Sequence, residues 1–239
     1  MLLGKGIKVR VRESDCMDVR KYLEQYKGRK ALAENEVKEL LKGVGIPTTN
    51  FELIKEEKDI DKLKLPLPYV MKVCSAEILH KTDVGGVRLG LKSKEEVKNA
   101  FHELRKKFPN EKFLVESMEK SGVEVIIGLL NDATFGPAIM FGLGGIFTEL
   151  FKDVTFRIVP IGRSDAEEMI SEIKGAKLLE GFRGIKVDRN AIIDTLMKVS
   201  KIAEDGKGLI DSLDLNPIFV REDGLVVVDA KLILNTRKD

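Results

Sequence analysis

The apolar positions of this chain change period several times, and each change marks an element. In ENEVKELLKGV, residues 34–44, Val37, Leu40, Leu41 and Val44 recur at three- and four-residue steps, which places them on one helical face. Gly45 and then Pro47 follow, as expected past a helix C-terminus. Residues 52–65 are densely charged and predict a short helix before Pro66 and Pro68. PYVMKVCS reads as a buried strand and VRLGL as a second one. KSKEEVKNAFHELRKKF is an amphipathic helix with Val97, Phe101 and Leu104 on its apolar face.

The second half is richer in strands. KFLVESM, GVEVIIGLLND, GPAIMFGLGG and FRIVPIG each predict one, with Asn131-Asp132 as a turn. Residues 165–180 predict two short helical segments. DRNAIIDTLMKVSKIAED predicts a long helix capped by Asp188. LIDSLDLNPIFVREDGLVVVDAKLIL predicts a two-stranded hairpin around Glu222-Asp223-Gly224. Strands and helices do not alternate, and short turns join several strand pairs. This order predicts α+β lobes with mainly antiparallel sheets, not a doubly wound parallel sheet. Residues 1–29 are charged and irregular, and read as an N-terminal extension.

Composition narrows the function classes. The 239 residues carry a net charge of +2, with 43% hydrophobic and 33% charged residues, the balance of a globular chain with a core. The basic residues are spread along the chain, so no nucleic-acid face is expected. No apolar run reaches the roughly 20 residues of a membrane span, and the N-terminus lacks a signal peptide's apolar stretch; cytoplasm is the expected location. Cys16 and Cys74 are too few for a disulfide framework and form no zinc motif. Abundant Glu and Lys, with Gln25 the only glutamine, fit a heat-adapted protein.

Candidate chemistry begins in VMKVC, where Lys72 interrupts an apolar strand. It reads either as a lysine snorkelling to water or as a point charge facing a polyphosphate. Gly85-Gly86 is either a plain turn or a loop whose amides approach an anion. His80 lies between them and suits packing, metal ligation, base or nucleophile roles. His102 reads as surface. Glu116 and Glu124 are surface charges, or groups that read a base and hold a ribose. Asn216, Asp229 and, two residues before Asn216, Asp214 could share a site on the final hairpin, a donor set that suits Mg²⁺ when phosphates complete it.

Taken together, NEVKELLKGVGIP, YVMKVCSAEILHKTDVGGVRLGL, GVEVIIGLLNDATFGPAIMFGLGG with FTELFKDVTFRIVPI, and DLNPIFVREDGLVVVDAKLIL resemble the β subunit of the ADP-forming acyl-CoA synthetases. The resemblance spans about residues 30–235 in unbroken order. It implies an ATP-grasp fold, with lobes at 30–117 and 118–239 enclosing ADP or ATP. It also implies the reaction acyl-CoA + ADP + phosphate ⇌ acid + ATP + CoA, shared with a CoA-binding α subunit in an α2β2 assembly. Residue by residue it implies that His80 is a phosphorylated relay, that Lys72, Gly85 and Gly86 serve the phosphates, and that Glu116 and Met118 form the adenine linker. Glu124 matches a ribose carboxylate, Asn216 and Asp229 match magnesium ligands, and Arg157 matches a phosphate contact. Asp214 stands where succinyl-CoA synthetase relatives carry glutamate, and Ala33 where a capping Thr is usual. The alternatives are a regulatory nucleotide-binding ATP-grasp protein, or a succinyl-CoA synthetase-type subunit acting on a different acid.

Overall fold

The computed structural model describes residues 17–145 and 153–236, and they build two antiparallel sheets. The smaller sheet has the order β1 (Phe51–Ile54), β4 (Lys112–Ser117), β2 (Tyr69–Cys74), β3 (Val87–Leu91). Period-2 alternation sorts β2 and β4 between its faces. Met71, Val73, Phe113 and Val115 pack with Val97, Phe101 and Leu104 of α3 (Lys94–Lys107). Lys72, Cys74, Leu114 and Glu116 point to the other face, with Lys72 opposite Leu114 and Val70 opposite Glu116. α3 starts where the Ser93 side chain accepts from the Glu96 amide, and its first turn is acidic and its last basic, which matches the helix dipole.

The larger sheet runs β10 (Ala230–Leu234), β8 (Ile210–Arg221), β5 (Val123–Asp132), β6 (Gly136–Leu143), β7 (Val154–Ile158), with β9 (Gly224–Val227) paired to the far half of β8. One face is covered by α4 (Arg163–Glu172), a short α5 (Ala176–Leu179) and α6 (Arg189–Asp205). α6 is capped by Asp188, as expected. On β8, Leu213 and Leu215 enter this core, so Ser212, Asp214 and Asn216 fall on the opposite, open face. No helix among the described residues is long and apolar enough to cross a membrane.

Three expectations change. Residues 51–54 form an edge strand paired with β4, and only Glu57–Lys62 is helical, as a 3-10 turn. A four-residue strand paired on one side leaves too short an alternation to compete with its charges. The last segment holds three strands, because pairing to β8 stops at Val227 and resumes at Ala230, with Val228 and Asp229 between. Finally, residues 17–49 are attached to the larger sheet. α1 (Val19–Glu24) buries Val19 and Leu23 in that core, so residues 17–29 are not a free arm; residues 1–16 lie outside the described ones. Leu32 and Leu234 exchange backbone bonds with Leu232 and Lys30 along the edge of β10, and Val227 donates to Pro47.

α2 (Glu34–Gly43) therefore lies between the sheets. Val37, Leu40 and Leu41 enter the larger core, while Glu34 and Lys38, one turn apart, face the back of the smaller sheet. Helical periodicity predicted this helix but not its sheet. Ala33 caps it through its backbone alone, its amide donating to Glu36 Oε2 at 2.7 Å.

Leu41→Ala is expected to lower the unfolding free energy by about 2–5 kcal/mol, read by urea denaturation. Faster amide exchange in β8 and β10 should accompany it. Faster exchange confined to the smaller sheet would contradict the placement of α2.

Candidate functional site

Where α2, the back of the smaller sheet and the β9–β10 corner meet, six charged side chains converge. Lys38 is 0% exposed. Its ammonium donates to Thr49 Oγ1 (2.7 Å), the Val228 carbonyl (2.9 Å) and Glu116 Oε1, and lies 2.8 Å from Glu34 Oε1. Lys72 Nζ donates to Glu34 Oε1 (2.8 Å) and to the same Val228 carbonyl (2.9 Å), and lies 3.0 Å from Glu116 Oε2. Lys81 Nζ stands 3.0 Å from both Glu34 Oε2 and Asp229 Oδ1. Thr49 donates to Glu116 Oε1. Three ammonium groups thus face three carboxylates.

This balance sets the protonation states. Burial alone would push the Glu34 carboxyl up, but Lys72, Lys38 and Lys81 outweigh it and hold it well below the usual carboxylate range. Burial would lower Lys72, but Glu34, Glu116 and Asp229 reverse the sign and raise it; Lys81 is raised in the same way.

Several sequence-predicted roles do not fit this geometry. The Lys72 ammonium is buried, donates to Glu34 Oε1 and the Val228 carbonyl and pairs with Glu116 Oε2, so its charge is already committed to the cluster and not aimed at a phosphate. The Glu116 carboxylate is buried between Lys38 and Lys72, and its backbone sits in a strand paired on both sides with Phe51 and Val70; it is not open to a base. The Gly85 and Gly86 amides donate to Thr82 and Lys81 carbonyls, closing the turn on itself. A Cβ on Gly86 would meet Val73 at 2.5 Å, so this glycine is needed for close packing. Arg157 pairs opposite Ile139, on the helix-covered face, and binds Glu172 (2.6 Å) and Glu168 (3.4 Å) of α4. It lies across the sheet from Asp214 and Asn216.

Asn216 and Glu124 lie on the open face, and Asp229 adjoins Asn216. The Asn216 backbone N–H donates to the Asp229 backbone carbonyl (3.1 Å), which sets the two residues predicted as metal ligands side by side. Asp229 Oδ1 accepts from Lys81 and from the Ala230 amide. Burial pushes the Asp214 carboxyl up and Asp229 adds to this, while Lys231 opposes it. The His80 side chain is 72% exposed, its Nδ1 3.7 Å from Asp83 Oδ2. Glu124 is on the same face of β5 as Gly128, which pairs with Asp214. It lies about 13 Å further along the strand at ~3.3 Å per residue. There it lines a cavity of about 360 Å³ with Gly122, Val123, Leu143, Gly144, Gly145, Leu178 and Ile185, a size and an apolar lining that suit a nucleoside. Met118 is half exposed at the linker after β4, its amide donating to Pro68.

Sequence reading missed Glu34, Lys38, Thr49 and Lys81. The one available signal was the i, i+4 spacing of Glu34 and Lys38 beside an apolar stripe, which on most helices marks a solvated pair.

Two sheets joined by a short linker, with an acidic open face and a nucleoside-sized cavity at its end, define an ATP-grasp protein, and residues 24–234 match the ATP-grasp domain family. Within it, this chain belongs to the β subunits of the ADP-forming acyl-CoA synthetases. It is 47% identical to the acetate–CoA ligase [ADP-forming] II subunit beta of Pyrococcus furiosus, over 87% of this chain and 93% of that one. It is 44% identical to acetate–CoA ligase [ADP-forming] II of Archaeoglobus fulgidus, of which it spans only 31%. A solved acetyl-coenzyme A synthetase 1 of Ca. Korarchaeum cryptofilum superposes with a TM-score of 0.79 at 44% identity, covering 91% of this chain and all of that one. That structure holds coenzyme A and Mg-AMPPCP, with its phosphohistidine segment pointing towards the nucleotide site.

Glu34→Gln leaves Lys72 and Lys81 short of a counter-charge and should cost about 3–5 kcal/mol at neutral pH. A carboxylate with a depressed folded pKa stabilises above its unfolded pKa and loses that contribution as pH falls through the folded value. The deficit against wild type should therefore persist down to about pH 4 and shrink only below it. Urea titrations from neutral to acid pH check this; a deficit already shrinking above that point would contradict the assignment.

Proposed function

We propose that this chain is the nucleotide-binding β subunit of an ADP-forming acyl-CoA synthetase, and that His80 carries a phosphoryl group to ADP. The observation that supports this most directly is the setting of His80. It is exposed on a segment whose next residue, Lys81, is tied to Asp229 on the open face. In the transfer the N–P bond of phosphorylated His80 breaks, and a new P–O bond forms to the terminal phosphate of ADP. The imidazole is left neutral. Asp83 Oδ2 lies 3.7 Å from Nδ1, and by closing that gap it would hold that nitrogen's proton and leave Nε2 as the nucleophile for the next round.

Asn216 and Asp229, with Asp214 beside them, would hold magnesium. The donor chemistry fits: Asp229 offers a carboxylate with an edge in solvent and Asn216 an exposed side-chain oxygen. Mg²⁺ typically takes one or two carboxylates and leaves its other positions to phosphate and water. Bound there, it would neutralise developing phosphate charge. Glu124 and its cavity would take the ribose and base, with Met118 at the linker. Lys72 would act as a fixed charge behind the site and not as a phosphate ligand. The Gly85-Gly86 turn would have to open for its amides to meet phosphate.

The CoA chemistry would belong to an α subunit in an α2β2 assembly. Two features support a partner: the Pyrococcus relative is named as a beta subunit, and this chain spans about a third of the Archaeoglobus one.

Incubation with [γ-³²P]ATP and Mg²⁺ tests the proposal. Wild type should take up acid-labile, base-stable label, and His80→Asn should take up none while still binding ADP. Equal label in both would sink the assignment of His80. The chain alone should form no acyl-CoA.

A further inference from the structure

Between Cys74 and Gly86, Lys81 is the one fully buried residue, and His80, Thr82, Asp83 and Val84 around it are all exposed. Residues 76–84 contain no helix or strand. Their hydrogen bonds are otherwise local: Glu77 to Ser75, Val84 to His80, and the Gly85 and Gly86 amides back to Thr82 and Lys81. Ile78 adds an apolar contact with the smaller core. Among the described residues, the ion pairs of Lys81 with Glu34 and Asp229 are the only polar ties from 76–84 to the rest of the chain.

Those two ties differ. The contact with Glu34 Oε2 is a charge contact without hydrogen-bond geometry, since that oxygen has no hydrogen-bond partner. The directed bond goes to Asp229 Oδ1. Asp229 is also the one carboxylate of the cluster with appreciable access to solvent, 29% against 2% for Glu34 and Glu116. It is thus where an incoming cation meets the cluster.

We propose that Lys81 is a latch that pins the His80 segment to Asp229, and that a divalent metal–nucleoside diphosphate opens it by taking Asp229. A metal and an ammonium on one carboxylate repel each other. The metal, carrying the larger charge and held also by phosphates, displaces the lysine. The segment's one directed side-chain bond to the rest of the cluster is then given up when an acceptor nucleotide arrives. The relay histidine stays docked until ADP can receive its phosphoryl group. Lys81 is a positioning residue here and does not touch the reacting atoms. The release step rests on the magnesium and nucleotide reading given above; the latch itself does not.

Hydrogen–deuterium exchange of the full chain, followed at peptides spanning 75–86, tests both parts, with calorimetry on the same samples to report Mg-ADP binding. Without ligand, Lys81→Met should speed exchange in these peptides about tenfold or more, the scale of losing one charged hydrogen bond, with β5 and α6 unchanged. Asp229→Asn cuts the same bond from the other side and should act in the same direction, which keeps the test decisive if Lys81→Met folds poorly. Mg-ADP should speed exchange in wild type towards the variant rate, and ADP with EDTA should not. Equal ligand-free exchange in wild type and variants overturns the latch. Bound Mg-ADP with unchanged exchange overturns the release. Absence of Mg-ADP binding in wild type overturns the nucleotide reading and the release with it, while the ligand-free comparison still decides the latch.

Discussion

The need to neutralise three buried ammonium groups governs this structure. Lys38, Lys72 and Lys81 lose water on folding, and each would be costly alone. Glu34, Glu116 and Asp229 balance them, and the Val228 carbonyl and Thr49 hydroxyl accept further bonds from Lys38 and Lys72. The partners come from α2, β2, β4, the loop after β2 and the corner between β9 and β10. The balance therefore exists only when both sheets and α2 are in register. Such a cluster adds little net stability over an apolar plug of the same volume. What it supplies here is a penalty on misplacement: shifting α2 by one residue would leave a buried charge unpaired.

This frame separates fixed charge from available charge. Lys38, Lys72, Glu34 and Glu116 are shielded and paired with one another, so they hold the sheets and set the local potential. Asp229 belongs to the same network but keeps an edge in solvent, next to Asn216 and on the face that carries Asp214 and Glu124. The open face is open because β8 and β5 turn Leu213, Leu215, Leu129 and Ile127 towards the helices, which leaves their alternate positions free for chemistry. The same alternation removes Arg157 from that chemistry by sending it to the helix side.

Much of the fold was legible because long periodic segments fix element type. α3, α6, β2, β5 and β6 follow from spacing alone, and antiparallel pairing follows from the short turns. Of the candidate site residues, His80, Glu124, Asn216 and Asp229 keep access to solvent, as the proposed roles need. The site was illegible where charge is buried. A sequence shows that Lys38 is a lysine on a helix, but not that its end meets four oxygens. Nor does it show that Glu116, four residues after Lys112 on a strand, has its carboxylate claimed by two lysines. Motif matching assigns Lys72 to phosphate because both readings require a lysine at that position; its burial between Glu34 and Glu116 is visible only in the fold.

The choice of lysine at all three positions follows from the same geometry. The acceptors around Lys72 come from three directions, two carboxylates and one carbonyl, and a compact ammonium serves them with its three tetrahedral donors. A guanidinium is planar and suited to a bidentate carboxylate, as Arg29 shows on Glu36 with bonds of 2.9 and 2.8 Å. In the cluster it would satisfy one carboxylate and abandon the others. Lysine at 81 has a further consequence. A point charge on a flexible stem can leave one oxygen for another without breaking a paired fork, so the contact beside His80 is built to be exchanged, while Arg29–Glu36 is built to stay.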